Sequence, residues 1–79
     1  YPNPFNPSTT IEYQLQSNGR VKIQVFDTLG KEVAALVNDY QQKGKHSIIF
    51  DANNLSSGIY YVRMQSRNFS ETKKINVMK

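Results

Sequence analysis

Along most of this chain apolar residues alternate with polar ones, in runs that recur at spacings of roughly ten residues. Ile11, Tyr13 and Leu15 alternate with Glu12, Gln14 and Gln16, and Val21, Ile23 and Val25 alternate with Lys22 and Gln24. His46, Ile48 and Phe50 alternate with Ser47 and Ile49, and Tyr60, Val62 and Met64 alternate with Tyr61, Arg63 and Gln65. Successive side chains of a strand point to opposite faces, so each run describes a strand with one face in a core. Phe26 breaks the parity of its run, which predicts cover on the second face of that strand. A last strand spans Phe69 to Lys79, with Ile75 and Val77 inward and a break allowed near Glu71. Short, regularly spaced strands with no long helix between them predict an all-β fold. The expected form is a small immunoglobulin-like antiparallel β-sandwich of about six to seven strands.

Turn residues stand between the runs. Gly19, in Ser17-Asn18-Gly19, is expected to supply a positive φ. Asp27-Thr28-Leu29-Gly30 reads as a hairpin turn: the Asp27 carboxylate accepts bonds from later N–H groups, and Gly30 suits a type I turn followed by a bulge. Gln41 to Gly44 is a loop, Asp51 to Ser57 is polar and rich in turn residues, and Arg67-Asn68 is a short hairpin turn. Glu32 to Val37 fits two patterns. Val33, Leu36, Val37 and Tyr40 have helical spacing, and the alanines favour a helix. So short a segment between turns is unusual for a helix and ordinary for a strand, so a strand is predicted. Leu55-x-x-Gly58-x-Tyr60 predicts a tyrosine corner, in which the hydroxyl bonds upstream backbone at a crossover between sheets; plain core packing of Tyr60 is compatible with it.

The first seven residues, Tyr1-Pro2-Asn3-Pro4-Phe5-Asn6-Pro7, follow another rule. Proline fixes φ and has no N–H, so prolines this close together exclude a helix and a central strand. Residues 1–8 are expected to form an extended, stiff lead-in, carrying the rings of Tyr1 and Phe5, and residues 9–79 the sandwich, within a single domain 1–79. A domain of this size buries only about 60% of its unfolded surface. It has no cysteine, so the core alone must hold it. No apolar run approaches the ~20 residues of a membrane helix. The chain opens on Tyr rather than Met and shows no signal peptide, so it is expected to be a fragment, with any export signal on a larger parent upstream of Tyr1.

The net charge of +4 is unevenly spread. Up to Gln42 there are three basic and four acidic residues; from Lys43 onward there are seven and two. One reading is a basic patch for an anionic partner such as surface lipopolysaccharide or an acidic receptor. The plainer one is a solvated set of lysines that keeps sheet edges apart. No nucleic-acid motif interleaves the basic residues, so no nucleic-acid partner is expected.

Catalytic and metal chemistry find little to work with. One histidine and no cysteine do not make an ordinary zinc site. Asp27, Asp39 and Asp51 lack the dense spacing of a calcium loop, and turn capping is the better reading of Asp51-Ala52-Asn53-Asn54. His46 is expected at the rim or partly buried, without the partners of a nucleophilic site. No glycine-rich phosphate loop is present. The chain is therefore expected to be a non-enzyme that needs no cofactor. Exposed rings could make a glycan platform, with Tyr1, Phe5, Tyr40 and Tyr61 as candidates. Two modification triplets occur, Asn68-Phe69-Ser70 for N-glycosylation and Asp27-Thr28-Leu29 for bacterial O-glycosylation.

Four stretches together resemble a known family: Tyr1 to Tyr13, Val25 to Val33, Leu55 to Tyr61, and Thr72 to Lys79. The family is that of the C-terminal sorting domains of the bacterial type IX secretion system, type A, an immunoglobulin-like fold related to a domain of flagellar hook-capping proteins. The resemblance covers essentially the whole chain; its first and last segments are the specific ones, and the middle is shared with the hook-capping domain. It implies a domain that directs a covalently linked upstream cargo through the outer-membrane translocon of a Gram-negative bacterium. A sortase-like protease then often removes the domain, and the cargo is joined to anionic lipopolysaccharide or released. Recognition is expected at the terminal strand, on Lys73, Lys74, Ile75, Val77 and Lys79, with Lys79 a natural end. Pro2, Asn3, Pro4, Asp27, Gly30, Leu55, Gly58 and Tyr60 are expected to be structural. Asn76 and Phe50 depart from the family's usual apolar residue and tryptophan. Lys73 shares the parity of Ile75 and Val77, so either the strand begins after it or a bulge turns it outward. A structural or adhesive module and a small glycan-binding sandwich stand as alternatives.

Overall fold

The computed structural model describes residues 8–67 and 69–78; the proline-rich lead-in 1–7, Asn68 and Lys79 lie outside them. Six strands follow one another: β1 (Ser8–Leu15), β2 (Gly19–Phe26), β3 (Glu32–Gln41), β4 (Gly44–Asp51), β5 (Gly58–Ser66) and β6 (Phe69–Val77). Among the described residues no helix forms. All pairings are antiparallel, in a two-stranded sheet β1–β4 and a four-stranded sheet β3–β2–β5–β6. The all-β sandwich expected from the alternation is what forms. β1 already begins at Ser8, which pairs with Asp51.

The core lies between the sheets. Val21, Ile23 and Val25 of β2 are the most deeply buried side chains, joined by Tyr13, Leu15, Val37, Phe50, Ala52, Tyr60, Val62, Met64 and Val77. β2 and β5 are the strands with a neighbour on each side, so their inward residues are closed off from every direction. Burying one such side chain contributes about 1.5–3 kcal/mol. The Cα positions span only 16 Å in the thin direction, room for two layers and no third.

β3 explains the helical spacing of its sequence. Ile23 faces Val37 and Gln24 faces Ala35, leaving Leu36 extra; Val25 faces Ala34 and Phe26 faces Glu32, leaving Val33 extra. Each bulge inserts one residue and resets the parity. Val33 and Leu36 therefore pack against the core along with Val37, from a strand. β3 also runs on to Gln41, so the loop before β4 is shorter than expected. It is tied to the first turn by the Lys43 N–H, which donates to Asn18 Oδ1 at 2.7 Å.

Turn chemistry matches the sequence at most positions. Asp27 Oδ1 accepts from the N–H groups of Leu29 and Lys31, both at 2.9 Å, and Gly30 takes φ 86°. Gly58 takes φ 151°, at the start of β5. The Tyr60 hydroxyl donates to the Ser56 carbonyl at 2.7 Å, where the chain crosses from β4 of one sheet to β5 of the other. Gly19 corrects an expectation: it opens β2 without a positive φ, so its freedom is not what makes the first turn. β6 corrects another. Its pairing with β5 is regular from Phe69 to Val77, with no break at Glu71.

Candidate functional site

β6 is an edge strand. It pairs with β5 on one side, and among the described residues no strand pairs with its other edge, which offers free backbone groups. From Phe69 to Lys74 every residue is exposed; Ile75 is half-buried and Val77 is buried at 6%. The strand is thus anchored at its C-terminal end and presented along the rest.

Register divides its side chains between two faces, since directly paired residues share a face. Thr72 faces Arg63 and Lys74 faces Tyr61, on the outer surface of the sheet. Lys73 faces Val62 and Ile75 faces Tyr60, on the inward side. Lys73 is nonetheless exposed, and neither of the two expected causes holds: the strand begins well before it, and no bulge turns it out. The second sheet has only two strands and leaves the inward side of β6 partly uncovered. Lys73 stands at the rim of the resulting cleft.

That cleft runs between β1 and β6. It encloses about 70 Å³ and is floored by Ile11, Tyr13, Ile23, Val62, Met64 and Ile75, with Glu12, Glu71 and Lys73 around them. β1 pairs only with β4, so a second free edge borders the cleft. A wider hollow of about 400 Å³ lies at one pole, where Ser8 and Thr9 of β1 meet Ile75, Asn76, Val77 and Met78 over Phe50 and Ala52. The start of β1 and the end of β6 therefore share that pole.

The expected recognition residues do not form one patch. Lys73, Ile75 and Val77 belong to the inward side, and Lys74 to the outer face; Lys79, Pro2, Asn3 and Pro4 lie outside the described residues. Tyr40 and Tyr61, two of the glycan candidates, both lie on the outer face, exposed at 59% and 37%; Tyr1 and Phe5 lie outside the described residues. Thr28 and Leu29 of the O-glycosylation triplet are exposed at a turn, and Asn68 of the other triplet lies outside the described residues.

Two polar clusters sit away from the terminal strand. His46 stacks on Tyr13, with ring centroids 5.3 Å apart, and its Nε2 lies 2.6 Å from the Gln42 carbonyl. The Tyr13 hydroxyl donates to Gln41 Oε1 at 2.5 Å. Burial raises the Tyr13 phenol above its usual value, and the bond to Gln41 partly counters this. On the outer face of β2, Gln24 is only 5% exposed. Its Nε2 donates to Glu32 Oε1 at 2.6 Å, and its Oε1 accepts from Arg63 Nη2 at 3.2 Å, with the guanidinium 4.7 Å from the centre of the Phe26 ring. The sequence carried one sign of this network, the odd parity of Phe26; the identity of its partners depends on strand order, which the alternation does not contain.

Among the described residues no group of His, Cys, Asp or Glu is arranged to hold a metal ion, and Asp51 Oδ1 caps the Asn53 N–H at 2.9 Å. Among the described residues no helix is long and apolar enough to cross a membrane. The family described as "Secretion system C-terminal sorting domain" matches residues 1–78. No curated protein and no solved structure matches the chain.

Proposed function

We propose a route and a recognition element for this chain, which belongs to the C-terminal sorting domains of the type IX secretion system. Membership makes the domain a secretion sorting signal, and its protein one that is exported through the cell envelope by the type IX machinery. The family is one of sorting signals, not of enzymes.

The proposed route carries a cargo joined upstream of Tyr1 through the outer-membrane translocon. A sortase-like protease then frees the cargo or fixes it to lipopolysaccharide at the surface. The proposed recognition element is β6, with Lys73, Lys74, Ile75 and Val77, and Lys79 after it. The observation that carries this reading is that β6 is an exposed edge strand anchored at its end by Val77. Unpaired backbone groups offer a receptor strand a ladder, which is how strand addition gains affinity, and flanking side chains supply specificity. Lys73 and Lys74 put positive charge on both faces of that ladder. Ile75 and Val77 act by holding the strand in the sheet.

The test is secretion of a fluorescent reporter fused ahead of residues 1–79, with a signal peptide, in a type IX-competent bacterium. Deleting residues 75–79 is a poor comparison, because it removes the buried Val77 and unfolds the edge. Lys73→Glu/Lys74→Glu is the better one, since both side chains are exposed and the fold should persist. The expected result is reporter outside the cell with the parent domain, and reporter held in the periplasm with a folded double variant. Normal export of that variant would remove the terminal lysines from recognition. Periplasmic retention of the parent fusion would refute the route.

A further inference from the structure

The structure gathers positive charge on one face in a way the linear sequence does not show. On the outer surface of the four-stranded sheet, Arg20 and Lys22 of β2, Arg63 of β5 and Lys74 of β6 share one side, and Arg67 adjoins them in the β5–β6 turn. Among the described residues the one carboxylate on that side is Glu32, already bonded to Gln24. Of the remaining acids, Glu12 and Asp51 lie on the outer face of the other sheet and Asp27 in a turn. Asp39 faces Val21 and Glu71 faces Met64, on the inward side. The two halves of the chain, net −1 and +5 by sequence, are mixed by folding: Arg20 and Lys22 come from the acidic half.

Within this face, Arg20, Lys22 and Arg67 surround a hollow of about 380 Å³, completed by Asn38, Gln65 and Ser66. Lys22 lies directly across from Asn38 on one side and Gln65 on the other, and Arg20 across from Tyr40. None of the three cations has an acidic partner among the described residues. Three like charges around one hollow repel each other and gain most when an anion enters. Amide and hydroxyl groups between them match a ligand rich in hydroxyls. Tyr40, 59% exposed beside Arg20, offers a flat ring on which a sugar can lie.

We propose that this hollow is a binding site for an acidic polysaccharide, separate from the sorting element on β6. The carboxylate or other charged group of one sugar sits among Arg20, Lys22 and Arg67. Asn38, Gln65 and Ser66 bond its hydroxyls, and the neighbouring sugar ring lies on Tyr40. A lipid surface fits less well, because the lining offers no apolar side chain to insert. Nucleic acid fits less well, because one ring beside polar amides gives a strand of bases little to stack on.

The test is calorimetric titration of the 79-residue chain at moderate salt with polygalacturonate, neutral dextran, a single-stranded DNA oligomer and phosphatidylglycerol vesicles. Polygalacturonate should bind and dextran should not. Arg20→Gln/Lys22→Gln should weaken binding about tenfold or more, as loss of charge-assisted bonds does. Tyr40→Ala should weaken it several-fold. Lys43→Gln/Lys45→Gln, equal in charge change but off this face, should leave it unchanged. Thermal melts of each variant keep folding separate from binding, and Lys22→Gln alone serves if the double variant melts early. Equal weakening by the Lys43/Lys45 pair would reduce the effect to net charge and overturn the site. An unaffected Arg20/Lys22 or Tyr40 variant, or no binding of polygalacturonate, would overturn it too. Binding of DNA or vesicles as tight as that of polygalacturonate would overturn the assignment to a glycan.

Discussion

Val77→Ala separates what the terminal strand does for the fold from what it does for export. Val77 is 6% exposed, faces Gly58 across the β5–β6 ladder, and is the last buried side chain among the described residues. Removing both γ-methyl groups loses about 1.6 kcal/mol of transfer energy, at roughly 0.8 kcal/mol for each buried carbon. A cavity adds to this where neighbours cannot close in. Here Val77 also lines the hollow of about 400 Å³ at the pole, so the new space joins an existing opening instead of forming a sealed void. A total of about 2 kcal/mol follows. A domain of this size has roughly 4–12 kcal/mol of stability, so the variant should remain folded at room temperature. Its melting temperature should fall by roughly 8–16 °C. Urea unfolding of wild type and variant, followed by circular dichroism, measures the difference directly. Lys73→Glu and Lys74→Glu, on the same strand but exposed, should each stay within about 0.5 kcal/mol. A Val77→Ala loss as small as theirs would refute the reasoning. It would mean that the strand end is not part of the core, and that deletion of residues 75–79 is a fair probe of recognition after all.

Two further outcomes follow from the same geometry. Tyr60→Phe should cost about 1 kcal/mol, the net worth of its bond to the Ser56 carbonyl, because Ser56 is exposed and water can take over that acceptor; an unchanged urea midpoint would show that Tyr60 acts through ring packing alone. The raised Tyr13 phenol has a pH consequence. The folded chain keeps this proton to higher pH than the unfolded chain, so stability is intact below the usual phenol value of 10.0 and declines as pH rises from there through the folded value. The informative quantity is the difference from Tyr13→Phe, whose stability should decline less as pH rises above 10.0. Parallel curves for the two proteins would contradict the assignment.

The fold was legible where parity alone decides it. Five of the strands could be drawn from alternation, because a strand in a two-layer fold buries every second residue and nothing else in the chain imposes that period. The region from Glu32 onward was ambiguous for a definite reason. Two bulges shift the parity of β3, and the inserted Val33 and Leu36 bring three apolar residues into helical spacing without any helix. Gly19 misled for the opposite reason, as a residue that permits a positive φ but does not require one. Asp27 and Gly30 were readable because their turn uses both the carboxylate and the left-handed backbone.

The candidate sites were less legible, and Lys73 shows why. Parity placed it correctly on the inward side, yet inward means buried only where a second sheet covers the first. That sheet has two strands against four, so the inward side of β6 opens into a cleft, and a lysine there meets solvent without any bulge. The same limit hid the basic face. Arg20 and Lys22 are seen in sequence only as the polar partners of Val21 and Ile23. Their meeting with Arg67 and Gln65 depends on β2 lying beside β5, a pairing of strands far apart in the chain. Alternation specifies which side of a strand each residue takes, and strand order specifies which residues share that side. A site built from one strand, such as β6, can be proposed from sequence; a site built across strands has to wait for the order.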